Sequence, residues 1–297
     1  MKLAILLLCH TNPKQVKMFV DAMKHPDITI FVHVDKKCTE DFSEVGGDHV
    51  YILPDEMRCD VRWAQISQVD ASLNLLKYAE KTDKFDFFWL CSGQDFPIKS
   101  NAYILDYLNH HLTKNFIHFV ESYNNKLGYE NNYDKRNQIL FYNWMTDRRK
   151  FIRIIKRLYI ELTGGYKKTF KLFLRKNSLH LKFYFGSQWW CLNRDTVVWI
   201  LDYLEEHPEY YRYYTRCLCP DESYFHTLVM NSPYADSCSD YLHYIDWSLG
   251  KHSPKILGIS DMNELMSSSM LMARKFNIDH DPEIIKQLLI HTNRKND

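Results

Sequence analysis

Short apolar runs alternate with amphipathic stretches through the first 120 residues. Leu3–Leu8 has no polar position, the pattern of a strand covered on both faces. His10-Thr11-Asn12-Pro13 ends that run, and Pro13 opens a predicted helix near Lys14–Lys24. Ile28–Val34 reads as a second buried strand, ending in His33-Val34-Asp35-Lys36-Lys37. A short strand near Val50–Leu53 comes next. It leads to a helix over Ile66–Glu80, in which Ile66, Val69, Leu73 and Leu76 recur at helical spacing. Phe85–Cys91 is another buried strand, closed by Ser92-Gly93-Gln94-Asp95-Phe96-Pro97. A helix near Asn101–His110 and a strand near Phe116–Val120 complete a half of strand–helix alternation, which predicts an α/β sheet with helices on its faces.

The texture changes over 121–182, where Asn, Tyr, Lys and Arg dominate and Asp147-Arg-Arg-Lys150 and Lys167-Lys168 form basic clusters. This stretch reads as a helical and loop insertion whose basic runs are solvated faces or meet an anion. A strand over Phe183–Cys191 resumes the sheet, followed by a helix over Asp195–Glu205 and a helix starting at Pro220. A strand at Ile256–Ile259 and a helix over Pro282–Leu289 end the pattern. With no repeat, low-complexity tract or linker, the chain reads as one domain, 1–297, with halves 1–120 and 183–297 around the insertion.

Composition narrows the functional classes. Lys and Arg number 38 against 37 Asp and Glu, a formal charge of +1, so no global field argues for nucleic acid. The 20 Tyr, 17 Phe and 7 Trp against 9 Gly are a surplus that serves either as core or as platforms for sugar and base faces. Eight scattered cysteines lack the paired spacing of a zinc site and read as reduced thiols. The opening apolar run is too short for a signal peptide and no stretch is long enough to span a membrane, so the expected location is the cytoplasm.

Polar residues gather just after predicted strands, where open α/β sheets bind ligands: His10, Asp35 with Lys36, and Gln94 with Asp95. An Asp there can accept hydrogen bonds from a ribose or base edge, or simply hold a turn. The chain has no G-x-G-x-x-G, G-x-x-x-x-G-K-[ST] or G-x-S-x-G, which argues against dinucleotide, P-loop and hydrolase-elbow sites. Asp279-His280-Asp281 is its one D-x-D and stands directly before a predicted helix, where capping accounts for it. Lys251 and Arg274-Lys275 are cations that can neutralise a diphosphate without a metal. Pro220-Asp221-Glu222 suits a helix start, because Pro fits the first position and carboxylates favour the positive end. Glu222 is therefore a capping-region acid, or a base kept ionised by the helix end.

Several segments in order resemble the core-2/I-branching β-1,6-N-acetylglucosaminyltransferase family, which also contains peptide O-xylosyltransferases. They are His33-Val-Asp-Lys-Lys37, Val61-Arg-Trp-Ala64, Leu90-Cys-Ser-Gly-Gln-Asp-Phe-Pro-Ile-Lys99, Gly186-Ser-Gln-Trp-Trp190, Pro220-Asp-Glu222, Tyr244-Ile-Asp-Trp247, Lys251-His252 and Ala273-Arg-Lys-Phe276. Ser-Gly-Gln-Asp-Phe-Pro is the specific one, and 122–182 matches poorly. The resemblance implies a single GT-A-type, Rossmann-like domain. It implies an inverting, metal-independent transfer of GlcNAc or a related sugar from a UDP-sugar to a glycan hydroxyl, and compact length suggests a bacterial-type member. Glu222 would be the general base. Lys275 with Arg274 would hold the diphosphate, and Lys251 would be the second basic group, with His252 or Lys255 as alternatives. His10 and Asp35 would lie by the uridine and Asp95 by the donor sugar. Glu121 and Trp247, with Lys135 and Arg136 of the insertion, would meet the acceptor. A UDP-xylose-dependent enzyme and a non-catalytic glycan-binding protein are the competing readings.

Overall fold

The computed structural model describes residues 1–121, 150–165, 168–169, 177–249 and 253–293. Lys135, Arg136, Lys251 and His252 lie outside the described residues. In chain order the elements begin with β1 (Leu3–Cys9), α1 (Pro13–Ala22), β2 (Ile28–Val34), β3 (Val50–Ile52) and α2 (Ser67–Thr82). Next come β4 (Phe87–Ser92), β5 (Asp95–Pro97), α3 (Asn101–Asn109), β6 (Asn115–Ile117), β7 (Val120–Glu121) and α4 (Lys150–Leu162). The second half holds β8 (Tyr184–Phe185), β9 (Trp190–Asn193), α5 (Arg194–Glu206), α6 (Pro208–Tyr214), a 3₁₀ turn at Pro220–Glu222 and α7 (Tyr224–Met230). It closes with β10 (Cys238–Ser239), β11 (His243–Ile245), α8 (Met262–Ser267), β12 (Met272–Arg274) and α9 (Pro282–Asn293).

Seven strands form the main sheet in the order β10-β6-β9-β4-β1-β2-β3. β3, β2, β1 and β4 run parallel, and β9 is antiparallel to both β4 and β6. The sheet is thus mixed, of GT-A type. The apolar run of β1 is explained by two cores: Leu3, Ile5 and Leu7 pack on one face with Val16 and Phe19 of α1 and Ile284 and Leu288 of α9. Ala4 and Leu6 pack on the other with Val69, Leu73 and Leu76 of α2 and the aromatic group of α6 and α7. Both faces of a parallel strand are then dry, as such strands require.

Three expectations are corrected. Pro220 does not start an α-helix: residues 220–222 make a 3₁₀ turn, and α7 begins at Tyr224 after Ser223. Phe183–Cys191 is two short strands, because Gly186 leaves the ladder to donate its N–H to the Glu222 carbonyl at 2.8 Å. Ile256–Ile259 is not a strand, since Leu257 makes one cross-chain bond, to the Lys275 carbonyl at 2.8 Å, instead of a ladder.

The buried Asn115 ties the distal end of the sheet together. Its amide donates to Thr196 Oγ1 and Ser237 Oγ, both at 2.8 Å, and its carbonyl accepts from Asn193 N at 3.0 Å. Asn115→Ala strands these partners in a dry setting and should cost about 2–4 kcal/mol. Chemical denaturation should show a lower midpoint at unchanged slope; an unchanged midpoint would contradict the assignment.

Candidate active site at the carboxyl ends of β1, β2 and β4

In a sheet ordered 3-2-1-4, crossovers leave β1 and β4 in opposite directions, and the gap beyond their carboxyl ends is the natural ligand crevice. His10 follows β1, Asp35 follows β2, and Ser92-Gly93-Gln94-Asp95 follows β4. Backbone bonds lock these ends together: Asp35 N donates to the Cys9 carbonyl at 2.8 Å and Gly93 N to the Leu8 carbonyl at 2.9 Å. Position 93 has to be glycine, because a Cβ there would stand 2.8 Å from Val16 Cγ2 and 3.3 Å from Cys9 Sγ.

The Arg274-Lys275-Phe276 segment is brought to the same place by α1. Gln15, buried, donates its side-chain amide to the Gly93 carbonyl at 2.7 Å and the Phe276 carbonyl at 3.3 Å, and accepts from Ile278 N at 2.7 Å. Phe276 N also donates to the Gln94 carbonyl at 2.8 Å. A second sheet, β11-β12-β5, then sets Arg274 opposite Asp95 across an antiparallel pair.

Asp95 is fully buried. Its carboxylate accepts from the Ser92 N–H and the Ser92 hydroxyl, both at 2.8 Å, and faces Arg274 Nη1 at 3.5 Å and His243 Nε2 at 3.4 Å. Despite the opposing cost of burial, these neighbours hold its carboxyl below the usual range. The Arg274 guanidinium stacks on the Trp189 ring at 4.0 Å, while its Nε and Nη1 make no hydrogen bond. The Asp95 charge and the Trp189 stack hold this arginine in place. Burial pushes the Lys275 ammonium below its usual range, and Arg274 adds to the shift. Two adjacent, partly desolvated cations make a place where a dianion is favoured. His10 shares that field: partial desolvation lowers it, Asp35 opposes, and Lys275 adds to the lowering. His10, Asp35 and Lys275 therefore sit within electrostatic reach of one another.

The turn that carries Glu222 is heavily braced. Cys219 before it has left-handed backbone, φ 48°, and donates to the carbonyl of Ala64, itself at φ 60°. Such backbone costs roughly 1–2 kcal/mol at a non-glycine residue and persists where its surroundings over-determine it. Gln68 bridges the same two segments, accepting from Ala64 N at 2.8 Å and donating to Asp221 Oδ2 at 3.2 Å. Ser223 is pinned by its hydroxyl to the Tyr184 carbonyl at 2.7 Å, with the Tyr214 hydroxyl 3.1 Å away. Part of the tyrosine surplus serves here: Tyr210, Tyr214 and Tyr224 are fully buried around this turn. A Cβ at Gly186 would lie 1.8 Å from the His118 carbonyl oxygen, so glycine is required where the chain passes between His118 and Glu222.

The remaining predicted residues lie around this cluster in varied settings. Asp35 is buried, accepting from Lys37 N at 2.9 Å and Lys37 Nζ at 3.1 Å. Trp247, just after β11, is 53% exposed, as a stacking platform would be. Glu121 ends β7, in register with Tyr184. Lys255, an alternative basic group, is already held by Asp261 at 2.6 Å and Asp246 at 3.7 Å. Asp281 of the D-x-D accepts from Ile259, Glu283 and Ile284 backbone N–H groups, and Asp279 from the Asn12 side chain at 3.0 Å. Among the described residues, Cys91, Asp95 and His243 are close enough together to share a metal. Arg274 already supplies positive charge to that buried carboxylate, which disfavours a second cation beside it. Sequence reasoning missed Gln15, Gln68 and His243 as builders of the site. Trp189 stood within a recognised segment, with no signal for its stacking role.

A family model described as Core-2/I-Branching enzyme matches residues 3–270. The chain belongs to the Core-2/I-branching enzyme family. Xylosyltransferase 1 of Homo sapiens is 24% identical over 318 residues, covering 97% of this chain and 30% of that protein. Xylosyltransferase 2 of Rattus norvegicus is 25% identical over 321 residues, covering 98% of this chain and 33% of that protein. The chain thus spans about a third of the length of these curated relatives. Family membership accounts for the ordered segments, and in space those at 92–95, 186–189, 220–222, 244–245 and 273–276 are joined by the contacts above.

Two buried imidazoles make the site's scaffold sensitive to acid. Burial pushes His33 to about 4 and His226 to about 3. His33 Nε2 accepts from Cys59 N at 2.8 Å, which requires the neutral ring. Both folded values lie below the unfolded value near 6.5, so the unfolded chain takes up protons first as pH falls. Their contribution is complete above about pH 6.5 and is lost on the way to about 4 and 3, worth roughly 3 kcal/mol for His33 alone. The melting temperature should hold above neutrality and fall steadily below about pH 6.5. His33→Gln, which can still accept from Cys59, should flatten that fall, and an identical pH profile in the variant would refute the assignment.

Proposed function

We propose that the chain is an inverting glycosyltransferase that moves a sugar from a UDP-sugar to a glycan hydroxyl, with Glu222 as general base and no metal. The observation that carries this reading is the braced Arg274-Lys275 pair beside His10 and Asp35 at the sheet's switch point, in a chain of this family. UDP would lie with its base and ribose toward His10 and Asp35 and its diphosphate against Lys275, Arg274 donating from its stacked position. The acceptor oxygen attacks the anomeric carbon as the bond to the diphosphate breaks. The electron pair leaves on UDP, stabilised by the two cations, and the acceptor proton passes to the Glu222 carboxylate. Asp95 serves this scheme from behind, as counter-charge to Arg274. Trp247 offers a face for an acceptor ring, with Glu121, Lys135 and Arg136 as further proposed acceptor contacts and Lys251 as the second basic group for the diphosphate. A reducing cytoplasmic setting suits eight cysteines that are all free thiols.

The donor sugar divides into two readings. The resemblance to the branching enzymes implies GlcNAc or a related sugar, while the relatives are named xylosyltransferases, which favours UDP-xylose. Incubating the chain with a panel of UDP-sugars and measuring UDP release decides between them. With the preferred donor and an accepted glycan, Glu222→Gln should lose roughly 10²–10⁴-fold in rate at unchanged melting temperature. Full rate in that variant would remove Glu222 from the mechanism.

The cation clamp has its own test. Lys275→Ala should weaken UDP binding, measured by calorimetry, by about tenfold or more. EDTA should leave UDP binding and turnover unchanged. Loss of both in EDTA, restored by Mn²⁺, would overturn the metal-free scheme.

A further inference from the structure

Helix α4 turns its apolar side the wrong way for a helix bathed in water. Ile152, Lys156 and Ile160 form one stripe at four-residue spacing, and this is the stripe set against the protein: Ile160 is 5% exposed and the other two are half-buried. On the opposite side Phe151, Ile154, Ile155, Leu158 and Leu162 share an arc of roughly 100°. Their exposures are 71, 51, 44, 54 and 87%. A surface helix ordinarily shows polar residues there. Arg153 and Arg157 are exposed and fall along one edge of this arc. The helix carries Lys150, Arg153, Lys156 and Arg157 against Glu161 alone, in a chain whose total formal charge is only +1. Glu161 is already paired with Arg157 at 3.0 Å.

We propose that α4 is a peripheral membrane-binding element that lies in the surface of a bilayer bearing anionic headgroups. The Phe151–Leu162 arc would sink to the headgroup–acyl boundary, with Arg153 and Arg157 at the level of the lipid phosphates. The complement of this face is apolar beneath and negative along the edge, which a bilayer surface supplies. A second copy of the helix would cover the apolar arc but bring no spare acid to the arginines. The mode is lying on the bilayer: no helix among the described residues is long and apolar enough to cross it.

The test is co-sedimentation of the full chain with vesicles of phosphatidylcholine alone and of phosphatidylcholine with about one-third phosphatidylglycerol. The chain should pellet with the anionic vesicles, not with the neutral ones, and less so as salt is raised. Ile154→Asp with Leu158→Asp, both on the outward arc, should reduce pelleting by about tenfold or more. That double variant should keep the parent's melting temperature and UDP affinity, so the outcome is separable from that of the donor-site reading. Absence of pelleting with anionic vesicles, or equal pelleting of parent and variant, would overturn the proposal. So would a parent dimer that the double substitution turns into a monomer without any vesicle binding.

Discussion

The contact between Asp95 and Arg274 is the constraint on which the site depends. Burying a carboxylate and a guanidinium in the protein interior is costly, and removing either alone would leave the other uncompensated. The pair is therefore tied to one strand register. Asp95 and Arg274 are partners across β5 and β12, and a slip of one residue would put the two side chains on opposite faces of the sheet. These strands have only three residues each, too few to fix register by apolar pattern. The charge pair and the Trp189 stack do so instead. Because Lys275 follows Arg274 directly, fixing that register also fixes where the second cation emerges.

This small sheet then has to meet the large one, and Gln15 is the joint. Its single side chain satisfies backbone groups of residues 93, 276 and 278, which come from both ends of the chain. The turn after β4 and the segment following the Arg-Lys pair are thereby bonded to one side chain of α1. Glycine at 93 lets α1 come close enough for this, and any side chain there would push the helix away. In the proposed reading, backbone spacing at these strand ends takes the place of a glycine-rich phosphate loop.

How much of this could be read from the sequence follows from element length. β1, β2 and β4 are legible because a strand dry on both faces is a continuous apolar run, and α2 because its apolar residues recur at helical spacing. β5, β11 and β12 are too short to show a period, and their pairing depends on the buried ion pair, which no local pattern announces. Pro220-Asp-Glu misled as a helix start because proline and acids suit a 3₁₀ turn equally well. Ile256–Ile259 misled because it is apolar for packing, with Leu257 fully buried, and not for strand pairing. The motif residues His10, Asp35, Asp95, Glu222, Arg274 and Lys275 could be singled out from sequence alone. The roles of Gln15, Gln68 and His243 could not, because a buried amide or imidazole is defined by partners far away in the chain.

The 3₁₀ turn changes the physical argument about Glu222. A carboxylate on the first turn of an α-helix would owe its ionised state to the helix end. Glu222 instead lies in a 3₁₀ turn, ahead of Ser223 and a helix of only seven residues, which removes the helix-start argument. What the structure supplies in its place is rigidity. The Glu222 carbonyl is bound to Gly186, the residue before it is tied through Gln68 to Ala64, and the residue after it is tied to Tyr184. In the proposed transfer, what matters is that the carboxylate be held in place when the nucleophile arrives. Left-handed backbone at Cys219 and Ala64, and glycine at 186, are the local costs of holding that place. The buried tyrosines of α6 and α7 are the packing that sustains them.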